Sequence, residues 1–190
     1  MICQEKLYSK KECTDIIKYS GTYTDTDNYF KGNHFILEQN KINFLNNPTS
    51  YKVFVIPRNS KTDWMFSKIL TWFKSINQIP KGFIEDVTSC TLHRYSVGDE
   101  FTLHVDVNTS CPDRVYNLGI QLNSDYTGGE YICIDKTDNE VILNKETGTA
   151  VGYSCNVPHK INKITRGERW SIVMPINITK GARRQTSTVL

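Results

Sequence analysis

The second half of the chain breaks into eight short alternating runs, and this texture limits the possible folds more than any other feature. The runs 88–95, 100–107, 115–123, 129–135, 139–143, 148–153, 158–165 and 168–176 are separated by Gly, Asn and Asp. A period of two sends successive side chains to opposite faces of a strand. So many short strands, with turn residues between them, predict a sandwich or barrel. Two earlier segments carry a helical period instead. In "LYSKKECTDIIKYS", Ser9 and Glu12 form a capping-box pattern ahead of Cys13, Ile16 and Ile17, so an amphipathic helix opens there and ends near Gly21. In "SKTDWMFSKILTWFKSIN", Trp64, Met65, Ile69, Leu70, Trp72, Phe73 and Ile76 lie close to one stripe, with Thr62 or Asp63 as the cap. Between the helices, "NHFILEQN" and "YKVFVIP" are expected strands. Helices first and strands after give an α+β arrangement, with the helices packed on one outer face of the sheets.

A chain of 190 residues with 38% hydrophobic content supports one core and leaves little room for a second. We expect a single domain over 1–178, in which 1–87 supplies the helices and the first strands and loops and 88–178 the strand-rich core; 179–190 is a basic tail. The formal charge of +3 is too weak for a nucleic-acid footprint, so nucleic acid is not an expected partner. "MICQEKLYSKKEC" has no apolar signal region and no later run reaches spanning length. No membrane partner is expected, and the expected location is intracellular and cytoplasmic. The six cysteines form no C-x-x-C pair and are too irregularly spaced for a disulfide framework; they read as reduced thiols filling the core.

Within "RYSVGDEFTLHVDV", His104 and Asp106 sit two residues apart on a predicted strand and so share a face, while Phe101, Leu103, Val105 and Val107 form the packed one. Alone, an H-x-D is equally a solvent-facing pair. A metal site with two imidazoles and one carboxylate needs a second histidine, and His159 in "NVPHKINKITRGERWSIVMPI" can face the H-x-D across a barrel mouth. Taken singly, His159 is more often a hydrogen-bonded histidine at a strand end. Ten residues on, Arg169 and Ser171 share a strand face and Trp170 takes the opposite, core side. A guanidinium grips a carboxylate through two parallel hydrogen bonds and a hydroxyl can add a third. The pair therefore suits one end of a dicarboxylate, although an exposed salt-bridging arginine would look the same.

Together, "RYSVGDEFTLHVDV", "NLGIQLNSDYTGGEYIC" and "GYSCNVPHKINKITRGERWSIVMPI" resemble the Fe(II)- and 2-oxoglutarate-dependent oxygenases, most closely their prolyl 4-hydroxylase-like branch, over roughly residues 88 to 176. The resemblance implies a double-stranded β-helix, the cupin-like jelly roll, with a metal at its open end. It makes His104, Asp106 and His159 the Fe(II) ligands. Arg169 becomes the anchor of the distal 2-oxoglutarate carboxylate, helped by Ser171. Tyr95 matches a tyrosine that hydrogen-bonds this cosubstrate, or is a core aromatic. Gln121 falls at a further cosubstrate-contacting position, on the same face as Asn117 and Gly119. Gly128 and Gly129 make the turn into the next strand, and His34 and His93 are structural or on the surface.

The implied activity is that of a dioxygenase using Fe(II), 2-oxoglutarate and O2 to hydroxylate a C–H bond. Relatives that halogenate carry a small residue in place of the ligating carboxylate, so an intact Asp106 favours hydroxylation. The substrate would be a prolyl or other amino-acid side chain in a peptide or protein, or else a free amino acid or small metabolite. Residues 22–60 would form its binding loops, with Tyr23, Tyr29, Phe30 and Tyr51 as possible walls. A non-catalytic jelly-roll binding module, or a cupin holding Mn or Ni, is the competing reading.

Overall fold

The computed structural model describes residues 2–22, 29–31, 51–76, 87–106 and 113–177. Two helices and thirteen strands are defined within them. In chain order these are β1 (Ile2–Lys6), α1 (Lys10–Lys18) running into a 3-10 turn at Tyr19–Thr22, β2 (Tyr29–Lys31), β3 (Lys52–Pro57) and α2 (Asp63–Ile76). β4 (Ser89–Tyr95), β5 (Phe101–His104), β6 (Arg114–Gln121), β7 (Thr127–Gly128), β8 (Tyr131–Ile134) and β9 (Glu140–Ile142) follow. The last four are β10 (Thr149–Ser154), β11 (His159–Ile161), β12 (Ile164–Arg166) and β13 (Arg169–Asn177).

The strands form a seven-stranded sheet in the order β1-β10-β6-β13-β4-β3-β2 and a four-stranded sheet in the order β5-β11-β8-β9, with β12 and β7 as a separate pair. Every pairing is antiparallel. Alternation sorts the side chains of the large sheet. Leu92, Leu118, Ile120, Ile172, Met174 and Ile176 face the helices and join Cys13, Ile16, Met65, Phe66, Ile69 and Phe73 in the main core. The other face, with Thr91, His93, Tyr95, Asn117, Gly119, Gln121, Arg169 and Ser171, lines a cavity against the small sheet. Each large apolar side chain buried beneath the helices contributes about 1.5–3 kcal/mol. The sheet therefore stays fixed while its inner face is left free to carry polar groups.

The expected elements form where local chemistry directs them. Ser9 caps α1 with both halves of the capping box: its hydroxyl accepts the Glu12 N–H and the Glu12 carboxylate accepts the Ser9 N–H. Lys68 of α2 ties back to Glu12 at 2.7 Å. The Thr62 hydroxyl turns backward, accepting from Asn59 N–H and donating to Pro57 O at 2.6 Å, so α2 opens at Asp63. Gly128 and Gly129 lie at φ 74° and 65°, the left-handed region that glycine enters without cost. A Cβ on Gly128 would meet the Lys163 carbonyl oxygen at 2.1 Å, so the close β7–β12 approach also requires the missing side chain.

Several expectations change. β1 was not foreseen: "ICQEK" is short and largely polar, and it becomes a strand by pairing with β10 at the sheet edge. The apolar face expected opposite the H-x-D is packed only in part: Phe101 is buried, but Leu103 is 56% exposed. Trp170 is half-buried, packed against the main core and stacked on Phe54, with the Arg94 guanidinium over its ring. Four of the five described cysteines are buried, and none of the five forms a disulfide. Burial pushes the Cys13 thiol up to about 11 and Cys133 to about 12, which keeps them protonated. No helix among the described residues is long and apolar enough to cross a membrane. The expected strand at 33–40, His34, Tyr23, Cys111, Val107 and the basic tail lie outside the described residues, and the side chains of Tyr29 and Phe30 are likewise not described.

Candidate metal centre

The metal-ligating side chains come from the small sheet and its connections. His159 of β11 pairs with His104 of β5 in register, and on its other side with Cys133 of β8. Asp106 follows the end of β5, in a bend whose N–H donates to Cys155 O at 3.0 Å. One ligand atom from each of His104, Asp106 and His159 falls within 4.8 Å of the others. His104 Nε2 lies 3.6 Å from Asp106 Oδ1, and His159 Nε2 lies 3.4 Å from Asp106 Oδ2.

The tautomers are fixed by the backbone. His104 Nδ1 donates to Thr102 O at 2.7 Å, and His159 Nδ1 donates to Val157 O at 3.0 Å. A carbonyl can only accept, so both rings carry the proton on Nδ1 and turn the Nε2 lone pair toward Asp106. Such outer bonds orient metal-binding histidines. Burial, then the neighbouring His104, lowers His159 to about 4, which makes it a neutral imidazole at physiological pH. Burial would raise Asp106, but its neighbours His104, His159 and Arg114 outweigh it and hold the carboxyl below its ordinary range. Two imidazoles that turn Nε2 inward and one ionised carboxylate on one side of a cavity are the donor set of a 2-His-1-carboxylate iron centre.

The same cavity holds an anion-binding group. Arg169 is 1% exposed, and among the described residues no carboxylate pairs with it. Its Nη1 donates to Ser171 Oγ at 2.8 Å and its Nη2 to Gln121 Oε1 at 3.0 Å, while Nε is buried without a partner. The Tyr95 and Tyr131 rings flank it, 5.4 and 5.7 Å from the guanidinium carbon. A buried arginine balanced only by neutral groups is costly, and an entering carboxylate offsets that cost. Register explains the assembly: Arg169 pairs with Tyr95, and Ser171 pairs with both His93 and Gln121.

Sequence reasoning missed several cavity residues. His93 is buried in the wall, stacked on Tyr51 with ring centroids 5.3 Å apart and bonded to the Thr91 hydroxyl at 2.8 Å. Burial, then the Arg169 charge, lowers it to about 3, so it stays neutral. Tyr51, expected as a pocket wall, does line the cavity and stacks on Tyr95 at 4.5 Å. Tyr131 and Tyr153 share a hydroxyl–hydroxyl hydrogen bond, and the Tyr153 hydroxyl lies 3.4 Å from His159 Nε2. Arg114 Nη1 lies 3.7 Å from Asp106 Oδ1, and Asn117 donates to Asp106 Oδ2. Parity was the available signal: His93 precedes Tyr95 by two, and Asn117 precedes Gln121 by four.

A jelly roll with two imidazoles and a carboxylate beside a buried arginine has the donor set of a non-haem iron site and, in the same cavity, a group suited to an anion. Residues 90–176 match the family model of the 2OG-Fe(II) oxygenase superfamily. A PKHD-type hydroxylase from Picosynechococcus sp. is 33% identical over 79 residues, covering 40% of this chain and 36% of that protein; the chain thus spans little more than a third of that relative's length. A Pseudomonas putida prolyl-4-hydroxylase superposes with a TM-score of 0.71 at 17% identity, over 94% of this chain and 92% of that one. A Trichoplax adhaerens prolyl hydroxylase, in complex with a hypoxia inducible factor peptide fragment, gives 0.73 at 12% identity over 100% and 87%. A viral collagen prolyl hydroxylase from Paramecium bursaria Chlorella virus-1 gives 0.65 at 16% over 94% and 96%. Residues 90–176 are thus similar to the 2OG-Fe(II) oxygenase superfamily, and the chain has the fold of the prolyl 4-hydroxylases.

Proposed function

We propose that the protein is an Fe(II)- and 2-oxoglutarate-dependent dioxygenase that hydroxylates a C–H bond, with a prolyl or other amino-acid side chain in a peptide or protein as its substrate. The observation that carries this reading is the buried Arg169, without a carboxylate partner among the described residues, in the same cavity as His104, Asp106 and His159. A metal-binding cupin of another kind has no need of that cation.

In this reading His104, Asp106 and His159 hold the iron. Arg169 and the Ser171 hydroxyl hold the distal carboxylate of 2-oxoglutarate, with Gln121 steadying the guanidinium. Tyr95 is pushed above its ordinary range by burial, so it stays a neutral phenol able to donate. When bound, Fe(II) with 2-oxoglutarate and O2 supplies the oxidising power for hydroxylation, with succinate and carbon dioxide as by-products. The protein's residues bind and orient. The anchored imidazoles offer nitrogen donors, Arg169 sets the depth to which a dicarboxylate enters, and the Tyr51, Tyr95 and Phe101 rings exclude water from one wall.

The peptide assignment is supported by the fold of relatives named as prolyl hydroxylases, one of them in complex with a peptide fragment. It is tested by following succinate formation from 2-oxoglutarate in the presence of proline-containing peptides and of free amino acids. Stimulation by a peptide that gains one oxygen atom supports the reading. Stimulation by a free amino acid alone moves the substrate to the small-molecule class.

A further inference from the structure

His104 ends β5 and His159 begins β11; the two pair with each other across the ladder and are each anchored through Nδ1. Asp106 lies beyond the last residue of β5 and gains no orientation from a strand ladder. Its side chain is held instead from the opposite sheet, where Asn117 of β6 reaches across the cavity and donates from Nδ2 to Asp106 Oδ2. The orientation of the amide is fixed by chemistry, because the reverse would set Oδ1 against a carboxylate oxygen.

We infer that Asn117 is the positioning residue of the metal centre, clamping the Asp106 carboxylate in the orientation in which it joins the two histidines. This rests on the metal-site reading above. Asn117 is 1% exposed, and its Oδ1 is buried without a hydrogen-bond partner. An asparagine kept only for packing has no reason to carry that cost when an apolar residue of similar size would avoid it. Register places Asn117 opposite Tyr153 on β10 and Pro175 on β13, so its backbone is fixed on both sides and only the side chain is free to act on Asp106. Loss of an outer-shell partner of this kind weakens metal binding about tenfold to a hundredfold.

The test is Co(II) titration of the wild-type protein, Asn117→Leu and Asn117→Ala, reading both the dissociation constant and the visible d–d spectrum of bound Co(II). Near-ultraviolet circular dichroism of the metal-free proteins reports their folding, and the alanine variant serves if the leucine variant does not fold. The inference predicts a folded variant with a dissociation constant raised about tenfold or more and an altered d–d spectrum, which a packing role alone would not produce. A folded variant with wild-type affinity and spectrum overturns it while leaving the metal reading intact. A wild-type protein that takes up no Co(II) overturns both.

Discussion

His159 faces His104 across the β5–β11 ladder with their ring centroids 4.2 Å apart, each ring bonded through Nδ1 to the carbonyl two residues before it. The pair is thus anchored at Nδ1 by backbone carbonyls, whereas the carboxylate is held by side chains. Asp106→Ala should therefore abolish Co(II) and Fe(II) binding and leave the fold in place, because Asp106 contributes no strand pairing. Calorimetric metal titration with circular dichroism checks this; retained metal binding would mean that another carboxylate serves.

Arg169→Lys should weaken 2-oxoglutarate binding on the order of tenfold to a hundredfold, the range for hydrogen bonds to charged groups. A point-like ammonium cannot reproduce a two-pronged grip or bond Ser171 and Gln121 at once. Gln121→Ala should cost less, because it removes a partner of the guanidinium and not the cation. Fluorescence or calorimetric titration with 2-oxoglutarate distinguishes the two variants, and equal affinity in Arg169→Lys would put the anchor elsewhere.

The metal-free protein should lose stability as the pH falls below about 6.5, the ordinary histidine value. His93 is lowered to about 3 and His159 to about 4, in both cases first by burial. Between those values and 6.5 the unfolded chain binds more protons than the folded one. Their contribution is complete above 6.5 and is lost as the pH falls through that window. His93→Phe keeps a flat ring against Tyr51 and removes the titration, so its melting temperature should fall less steeply over the same range. An unchanged slope would show that His93 is not held neutral in the fold.

Gly128→Ala should destabilise the fold by about 2 kcal/mol or more, since it adds left-handed backbone strain to a Cβ placed 2.1 Å from a backbone oxygen. Urea denaturation measures it, and a change within about 0.5 kcal/mol, the scale of neutral surface substitutions, would show that β7 and β12 can separate without cost.

Much of this molecule was legible in its sequence because the information is local. The capping box at Ser9, the apolar stripe of α2 and the strands from 88 onward follow from spacing along the chain, and the collinear family pattern marked as candidates His104, Asp106, His159 and Arg169, which the fold brings to one cavity. What escaped depends on contacts between distant segments. β1 is a strand only because β10 offers it an edge. Asn117 acts on Asp106 through tertiary folding, since their elements lie in opposite sheets. His93 read as structural or on the surface, and its place in the cavity wall depends on contacts such as the stacked Tyr51, 42 positions earlier in the chain. Leu103 looked like core because alternation shows which residues share a face and not which face is covered.

The central claim is that a metal bound by the triad and a dicarboxylate held by Arg169 occupy one cavity together. Anaerobic addition of Fe(II) and then 2-oxoglutarate tests it most directly. The wild-type protein should develop a visible metal-to-ligand charge-transfer band that is absent in Asp106→Ala and needs more 2-oxoglutarate to appear in Arg169→Lys. A folded wild-type protein that binds Fe(II) and shows no band at saturating 2-oxoglutarate would contradict the account.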